Sequence, residues 1–382
     1  MAARTVSVVL DRPRGVLPPV DVTTPWWPDV EPVVLAMRER FGLDVIVLRL
    51  LAGADHEVTY LAELASGDPT PWLSPWSEAL PDDQRRLPYA RPGGPAADLA
   101  WATEHVTVTG APMQVKTWNL SSIWRLPTAA GTVWLKHVPP FFGHEPLVLA
   151  AIAGVAPVPA VVAGEPRRML LADVPGYDCW QADQTQREAM VDALVDLQVW
   201  SAARVAELFA LGLPDWRAAV LATPAADVVA RDAPVDDADA LRRLIDDLPV
   251  RFAALAECGL PDVLVHGDYH PGNVRWSDGG PVILDWGDCG IGHPLLDLPA
   301  FLEEAGPATA SLRERWCRRW AAAVPGSDPA RAAELIAPIA ALRQAIIYRH
   351  FLDRIEASEH VYHRADVPMW LRRAADLFSA PS

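Results

Sequence analysis

The rhythm of apolar positions changes twice along the chain. Near the N-terminus, β-branched runs alternate with one helical pattern: TVSVVLD, then PDVEPVVLAMRERFG, then LDVIVLRLL and EVTYLAEL. Residues 5–64 therefore read as strand, helix, strand, strand, with Pro28 near the helix start and Gly42 as its stop. They would form a small accessory α+β domain within residues 1–64. Residues 65–94, SGDPTPWLSPWSEALPDDQRRLPYARPGG, are rich in Pro, Gly and Asp and read as a linker. Its tryptophans predict that it packs against something rather than floating free.

From 95 to 173 the pattern opens with a helical segment, ADLAWATEHV. It continues as MQVKTWNLSSIWRLPTAAGTVWLKHV, two or three antiparallel strands turning at PTAAG. Residues 174–382 are mostly helical. EAMVDALVDLQVWSAARVAELFALG places Met190, Leu194, Leu197 and Val205 on one face, and ARAAELIAPIAALRQAIIYRHFLDRIEAS repeats the pattern.

One stretch breaks that helical regime. In LVHGDYHPGNVRWSDGGPVILDWGD, residues 264–288, two short apolar runs lead straight into His266, Asp268, Asn273 and Asp285. Turn chemistry alone accounts for an asparagine and glycines in a hairpin. It does not account for so many acceptor groups at the ends of strands.

Composition narrows the classes. The 382 residues are 51% hydrophobic, enough for a sizeable core in two or three domains. A net charge of −16 and a pI near 5.0 argue against nucleic acid or an anionic membrane as partner, and are compatible with a cationic ligand. Cys179, Cys258, Cys289 and Cys317 form no CxxC pair, so neither a disulfide framework nor a zinc site is expected. MAARTVSVVLDRPRG lacks a signal-peptide apolar region, and the long uncharged run PLVLAAIAGVAPVPAVVAG is broken by Pro157 and Pro159 into a helix and a strand. A soluble cytoplasmic protein is predicted.

Phosphoryl transfer from a nucleotide needs a base or orienter for the acceptor hydroxyl, oxygen ligands for magnesium, and a lysine on the phosphates. Asp268, Asn273 and Asp285 supply the first two parts. The spacing D-x-x-x-x-N, an apolar strand, then D-W-G matches the catalytic loop and metal-binding turn of kinase-like enzymes.

HGDYHPGN followed by VILDWGD resembles the signature of the aminoglycoside phosphotransferase and choline kinase group, a branch of the protein-kinase-like fold. The resemblance implies Asp268 as catalytic base, Asn273 and Asp285 as Mg²⁺ ligands, and His266 and Gly267 as shapers of the loop. It covers roughly residues 95–382. Lys136, at the end of TVWLK, matches the family's phosphate-binding lysine, and Glu145 matches the glutamate that pairs with it. NLSS stands where relatives have a glycine-rich loop, so Ser121 and Ser122 would meet the phosphates. RRMLLADVPG resembles the strand behind the adenine, with backbone groups from Leu171 to Asp173 near the base. Asp297, in GHPLLDLPAFLEE, is expected to hold the catalytic loop. Cys289 and His270 carry no required role.

The first 64 residues resemble, more weakly, the helix-to-strand part of a Nudix domain without its glutamate cluster, which implies a degenerate, non-hydrolytic cap. A plain accessory domain explains them as well.

The expected fold class is α+β: a two-lobed protein-kinase-like fold, with a small β-rich lobe, a large helical lobe and an additional N-terminal domain. The implied function is a small-molecule kinase using ATP or GTP with Mg²⁺ to phosphorylate a hydroxyl of an antibiotic or metabolite. The rivals are a binding module without turnover and a Nudix-type hydrolase. The acceptor pocket is expected near YRHFLDRIEASEHVYHR, where Asp353, Glu356 and Glu359 would either meet an amine or form an exposed helix face.

Overall fold

The computed structural model describes residues 4–303 and 305–380; Met1–Ala3, which open the stretch read for a targeting signal, lie outside them. The chain divides into two compact units. One comprises Met1–Gly143, Val161–Asp173 and Leu352–His363; the other comprises His144–Ala160, Val174–Phe351 and Arg364–Ser382.

The first unit contains two sheets. In one, β1 (Arg4–Leu10) pairs with β2 (Gly15–Val16) and β3 (Val20–Val22) and runs parallel to β5 (Glu57–Ser66), which pairs in turn with β4 (Asp44–Ala54). The β4–β5 hairpin turns at Asp55, whose φ of +50° is a conformation that Asp tolerates better than most side chains. Helix α1 (Glu31–Phe41) lays Val33, Val34, Met37 and Phe41 into the core that Val6, Val8, Val45, Val47 and Tyr60 line.

The second sheet is an antiparallel array, β6 (Met113–Trp118), β7 (Ser121–Thr128), β8 (Gly131–His137), β10 (Arg168–Ala172) and β9 (Val161–Glu165), paired in that order. Helix α2 (Gly94–His105) covers it with Trp101 and Ala102 packed among Trp124, Leu126, Leu135 and Leu170.

These two sheets are tied together. The buried Gln114 side chain of β6 accepts from the N–H of Val47 at 2.9 Å and donates to its carbonyl at 2.7 Å, filling the role of a neighbouring strand. Ile46 of β4 packs into the core of the second sheet. The stretch between them is not loose. Val16 bridges to Ser74, Trp72 stands on Phe41 with ring centres 5.2 Å apart, and Leu87, Tyr89 and Ala90 are buried.

The second unit is mainly helical. Helix α3 (Glu145–Ile152) is followed by the short strand β11 (Tyr177–Asp178) and by α4 (Gln184–Ala202). A capping box starts α4: Asp183 accepts from the Gln186 N–H at 2.8 Å, and Gln186 accepts from the Asp183 N–H at 3.0 Å. Met190, Leu194 and Leu197 are buried as the periodicity predicts, but Val205 begins a separate short helix, α5 (Val205–Phe209), after the break at Ala203–Arg204. Helices α6 (Ala218–Asp232) and α7 (Ala238–Glu257) lead to strands β12 (Val263–Val265), β13 (Val274–Ser277), β14 (Gly280–Ile283) and β15 (Gly290–Gly292). Helices α8 (Leu298–Leu302), α9 (Thr309–Ala323), α10 (Pro329–Arg354) and α11 (Asp366–Ser379) complete the unit, and α10 carries the chain on to the 3₁₀ turn Ala357–Tyr362 of the first unit.

Candidate active site

The polar stretch singled out in the sequence becomes two small strand pairs with loops at their ends. The wholly buried β12 pairs with β15, and β13 pairs with β14. Between β12 and β13 runs the loop His266–Asn273; between β14 and β15 runs the turn Leu284–Cys289. The N–H of Leu284 donates to the Asn273 carbonyl at 2.8 Å, so loop and turn lie side by side.

Several groups brace the loop. Asp297, 1% exposed, accepts from the backbone N–H of Gly267 at 2.7 Å and of His266 at 2.9 Å, and from Gln198 Nε2 at 3.2 Å. Burial pushes its carboxyl pKa up, against the pull of His266 and Arg343. The buried Arg343 donates to the Gly267 and Asp288 carbonyls at 2.9 and 3.0 Å, and Gln344 donates to the Gly267 carbonyl at 2.9 Å. Gly267 cannot be replaced cheaply: its φ is +93°, and a Cβ there would sit 2.1 Å from the Asp288 carbonyl oxygen. His266 is fully buried, its Nε2 2.8 Å from the Leu284 carbonyl; burial depresses its pKa, so the ring is the neutral donor.

Within this frame Asn273 Nδ2 donates to the Asp268 carbonyl at 2.9 Å and to Asp268 Oδ2 at 3.0 Å. Two acceptors on that side fix the amide orientation, and Asn273 Oδ1 is turned away from them. Asp268 has a 45% exposed side chain. Burial of the carboxyl would raise its pKa, but His270, with Nε2 3.6 Å from Oδ2, outweighs this and holds it below its usual range. Asp285 is exposed and has a φ of +58°, a strained conformation at a turn that presents its side chain. Burial pushes the Asp288 carboxyl well up, and the nearby Asp268 and Asp285 push the same way.

Glu145 lies at the start of α3, 1% exposed, and its Oε1 accepts from the Trp286 N–H at 3.2 Å, tying the helix to the Asp285 turn. Lys136 stands in β8 of the first unit, opposite Ile123 and Met169. Its expected pairing with Glu145 therefore joins residues of different units. Ser121 and Ser122 follow the two-residue turn Asn119–Leu120 and are 6% and 1% exposed; Ser121 Oγ accepts from Trp118 Nε1 at 3.1 Å. Leu171 pairs with Trp134 in β10, and Asp173 Oδ1 accepts from Trp134 Nε1 at 2.7 Å, at the last residue before the chain enters the second unit.

Glu356 and Glu359 do not form an exposed helix face. Helix α10 ends at Arg354, and both carboxylates are buried in the first unit. Glu356 pairs with Arg86 at 3.0 Å and Arg49 at 3.7 Å, and Glu359 accepts from the Leu50 N–H at 3.3 Å. Gln198, Arg343 and Gln344 were missed by sequence reasoning, because they reach the loop from α4 and α10. All four cysteines are free, and burial pushes the Cys289 thiol pKa well up.

No curated protein matches the sequence. The fold is shared with solved structures of low sequence identity. A type I macrolide 2'-phosphotransferase matches with a TM-score of 0.53 and 17% identity, over 72% of this chain and 96% of its own. A choline/ethanolamine kinase family protein from Mesorhizobium loti gives 0.53 and 19%, over 75% and 95%. An ADP-bound aminoglycoside phosphotransferase, APH(2'')-Ib, gives 0.51 and 12%, over 74% and 99%. The two-lobed α+β kinase-like fold expected from the sequence is thus found. The likeness of residues 1–64 to a Nudix domain rests on the sequence pattern alone. At the level of sequence families, the phosphotransferase enzyme family (APH) matches residues 140–335, just over half of the chain and all of the loop and turn described above, and the chain belongs to that family.

Proposed function

We propose that the protein is a nucleotide-dependent kinase that transfers the γ-phosphoryl group of ATP or GTP to a hydroxyl of a small, amine-bearing molecule. The observation that carries this reading is the Asp268–Asn273 pair, held on a braced loop beside Asp285. Asp268 orients the acceptor hydroxyl and takes its proton. As the acceptor oxygen bonds to phosphorus, the bond from phosphorus to the bridging oxygen breaks, and the nucleoside diphosphate leaves with that electron pair.

Asn273 Oδ1 and the exposed Asp285 carboxylate are hard oxygen donors, the set that magnesium takes alongside waters and phosphates. These two residues would hold the ion. When bound, the ion supplies charge neutralisation on the phosphates. Lys136 would add a fixed positive charge there, and Glu145 holds the metal turn in place. With both serine side chains buried, phosphate contacts from Ser121 and Ser122 would come from the backbone. Backbone groups of Leu171 to Asp173 would meet the base.

An amine-bearing acceptor is supported by charge. Tyr348 in α10 lies in the field of the proposed base, Asp268, and of Asp366 and Glu303, so a positive charge bound beside it would be favoured. The solved relatives include proteins named for macrolides, aminoglycosides and choline or ethanolamine, so antibiotics and amino alcohols are the first acceptors to try. Among the described residues no helix is long and apolar enough to cross a membrane, compatible with work where cytoplasmic nucleotide is supplied. The test is direct: incubate the full chain with Mg²⁺, ATP or GTP and a panel of hydroxylated amines, and look for a product heavier by one phosphoryl group. Phosphorylation of none of them, with no nucleoside diphosphate formed, would sink the reading.

A further inference from the structure

The loop uses one local device twice. His266 Nδ1 accepts from the N–H of Asp268, two residues on, at 3.3 Å; His270 Nδ1 accepts from the N–H of Gly272, again two residues on, at 3.1 Å. A backbone N–H can only donate, so each Nδ1 is the bare nitrogen and each ring carries its proton on Nε2. What differs is the target of that Nε2–H. In His266 it is the Leu284 carbonyl at 2.8 Å, a structural brace; in His270 the Nε2 stands 3.6 Å from Oδ2 of Asp268, just beyond hydrogen-bond length.

The His270 ring is also held from behind. Trp180 lies against it with ring centres 5.2 Å apart and planes inclined by 37°. Gly272 permits this, since a Cβ there would come within 2.3 Å of the Trp180 ring and 2.7 Å of His270 Cε1. Asp268 Oδ2 therefore faces Asn273 Nδ2 at 3.0 Å on one side and His270 Nε2 at 3.6 Å on the other. The second distance is one that closes readily when substrates bind.

We infer that His270 is a positioning residue for the catalytic carboxylate. As the Nε2–H tautomer set by Gly272, it holds Oδ2 of Asp268 and turns Oδ1 toward the acceptor hydroxyl. This rests on the kinase reading above and adds a division of labour within one carboxylate. Oδ1 takes the proton while Oδ2 is kept by two N–H donors. It also gives the His270–Pro271–Gly272 sequence a purpose beyond turning the chain.

Two substitutions separate this role from loop stability. Asn at 270 offers an acceptor in place of Nδ1, keeping the Gly272 bond, but does not reach Asp268. Gln at 270 brings an N–H to about the place of Nε2. With Mg–ATP and water as the probe acceptor, ADP formation is followed in the parent, H270N, H270Q and D268N. H270N should lower kcat by about tenfold or more with the KM for ATP within about twofold, while H270Q recovers most of the loss. If H270N turns over like the parent while D268N does not, the proposal is overturned and the kinase reading stands. If D268N also turns over like the parent, or the parent forms no ADP with water or with any acceptor of the panel, the kinase reading fails and takes this proposal with it. Nitrogen NMR of the folded parent gives an independent check near neutral pH. A proton on Nε2 of His270 with a bare Nδ1 is expected; the opposite tautomer overturns the assignment even if a variant misfolds.

Discussion

Asp297 grips the backbone of Gly267 from thirty residues away: its Oδ1 accepts the Gly267 N–H at 2.7 Å, in a place that is 1% exposed. Replacing it with Ala strands two buried backbone N–H groups and leaves Gln198 Nε2 with the Pro294 carbonyl alone. Each unsatisfied buried donor costs about 1–3 kcal/mol. D297A should unfold at clearly lower urea than the parent, and its residual folded fraction should turn over slowly because the Asp268 loop has lost its anchor. Equal urea midpoints would show that the clamp contributes nothing.

The carboxylates of the loop and of the turn should fail differently. On the proposed assignment Asp285 holds the metal, so D285N should weaken Mg-dependent nucleotide binding and turnover together. On the same assignment Asp268 serves the acceptor, so D268N should bind nucleotide nearly as the parent does while kcat falls by roughly 10²–10⁴. Calorimetry with Mg–ATP, run beside turnover, distinguishes them; the same loss of nucleotide affinity in both variants contradicts the assignment.

Glu359 sets a pH dependence on stability. Burial, with Glu356 beside it, pushes its carboxyl up to about 8 from the ordinary 4.5, while the Leu50 N–H, Arg49 and Asn119 pull it down; Tyr60, Tyr89 and Tyr362 also lie in its field. The folded state holds this proton where the unfolded chain has released it. Its contribution to stability is thus full below about 4.5 and is lost as pH rises through about 8. E359Q, which cannot ionise, should gain in Tm relative to the parent as pH rises across that window. Melting curves from pH 5 to 9 that stay parallel would contradict this.

The first 64 residues should not be removable without cost. Their deletion strips the Gln114 side chain of both Val47 partners and takes Ile46 out of the core formed by Trp101, Trp124 and Leu135. A chain starting at residue 65 or 95 is expected to be insoluble or to melt far below the parent in circular dichroism. A fragment as stable as the whole chain would show that the accessory sheet is only an appendage.

What the sequence made legible was local. Asp268, Asn273 and Asp285 fall within twenty residues; Asp268 and Asp285 follow short apolar strands and Asn273 directly precedes one, so pattern and chemistry could be read together. The β6–β8 meander was legible for the same reason, because its turns are short. Groups that act from afar were not. Arg343 and Gln344 sit inside a long helical pattern, and nothing in that pattern marks which turn meets Gly267. Glu356 and Glu359 were misjudged because periodicity does not register that Arg49, Arg86 and Leu50, some three hundred residues earlier, are waiting for them. A carboxylate with its arginine that far away in sequence looks like a solvated one.

The Gln114 side chain, seated on both polar groups of Val47, means that the stretch joining the two sheets is not what keeps them associated. Its residues 77–79 are exposed. A protease that cuts there should leave two pieces that elute together from a sizing column in native buffer and separate only in denaturant. The same property makes that position a natural place to divide the gene, so that two separately expressed halves assemble into one working protein.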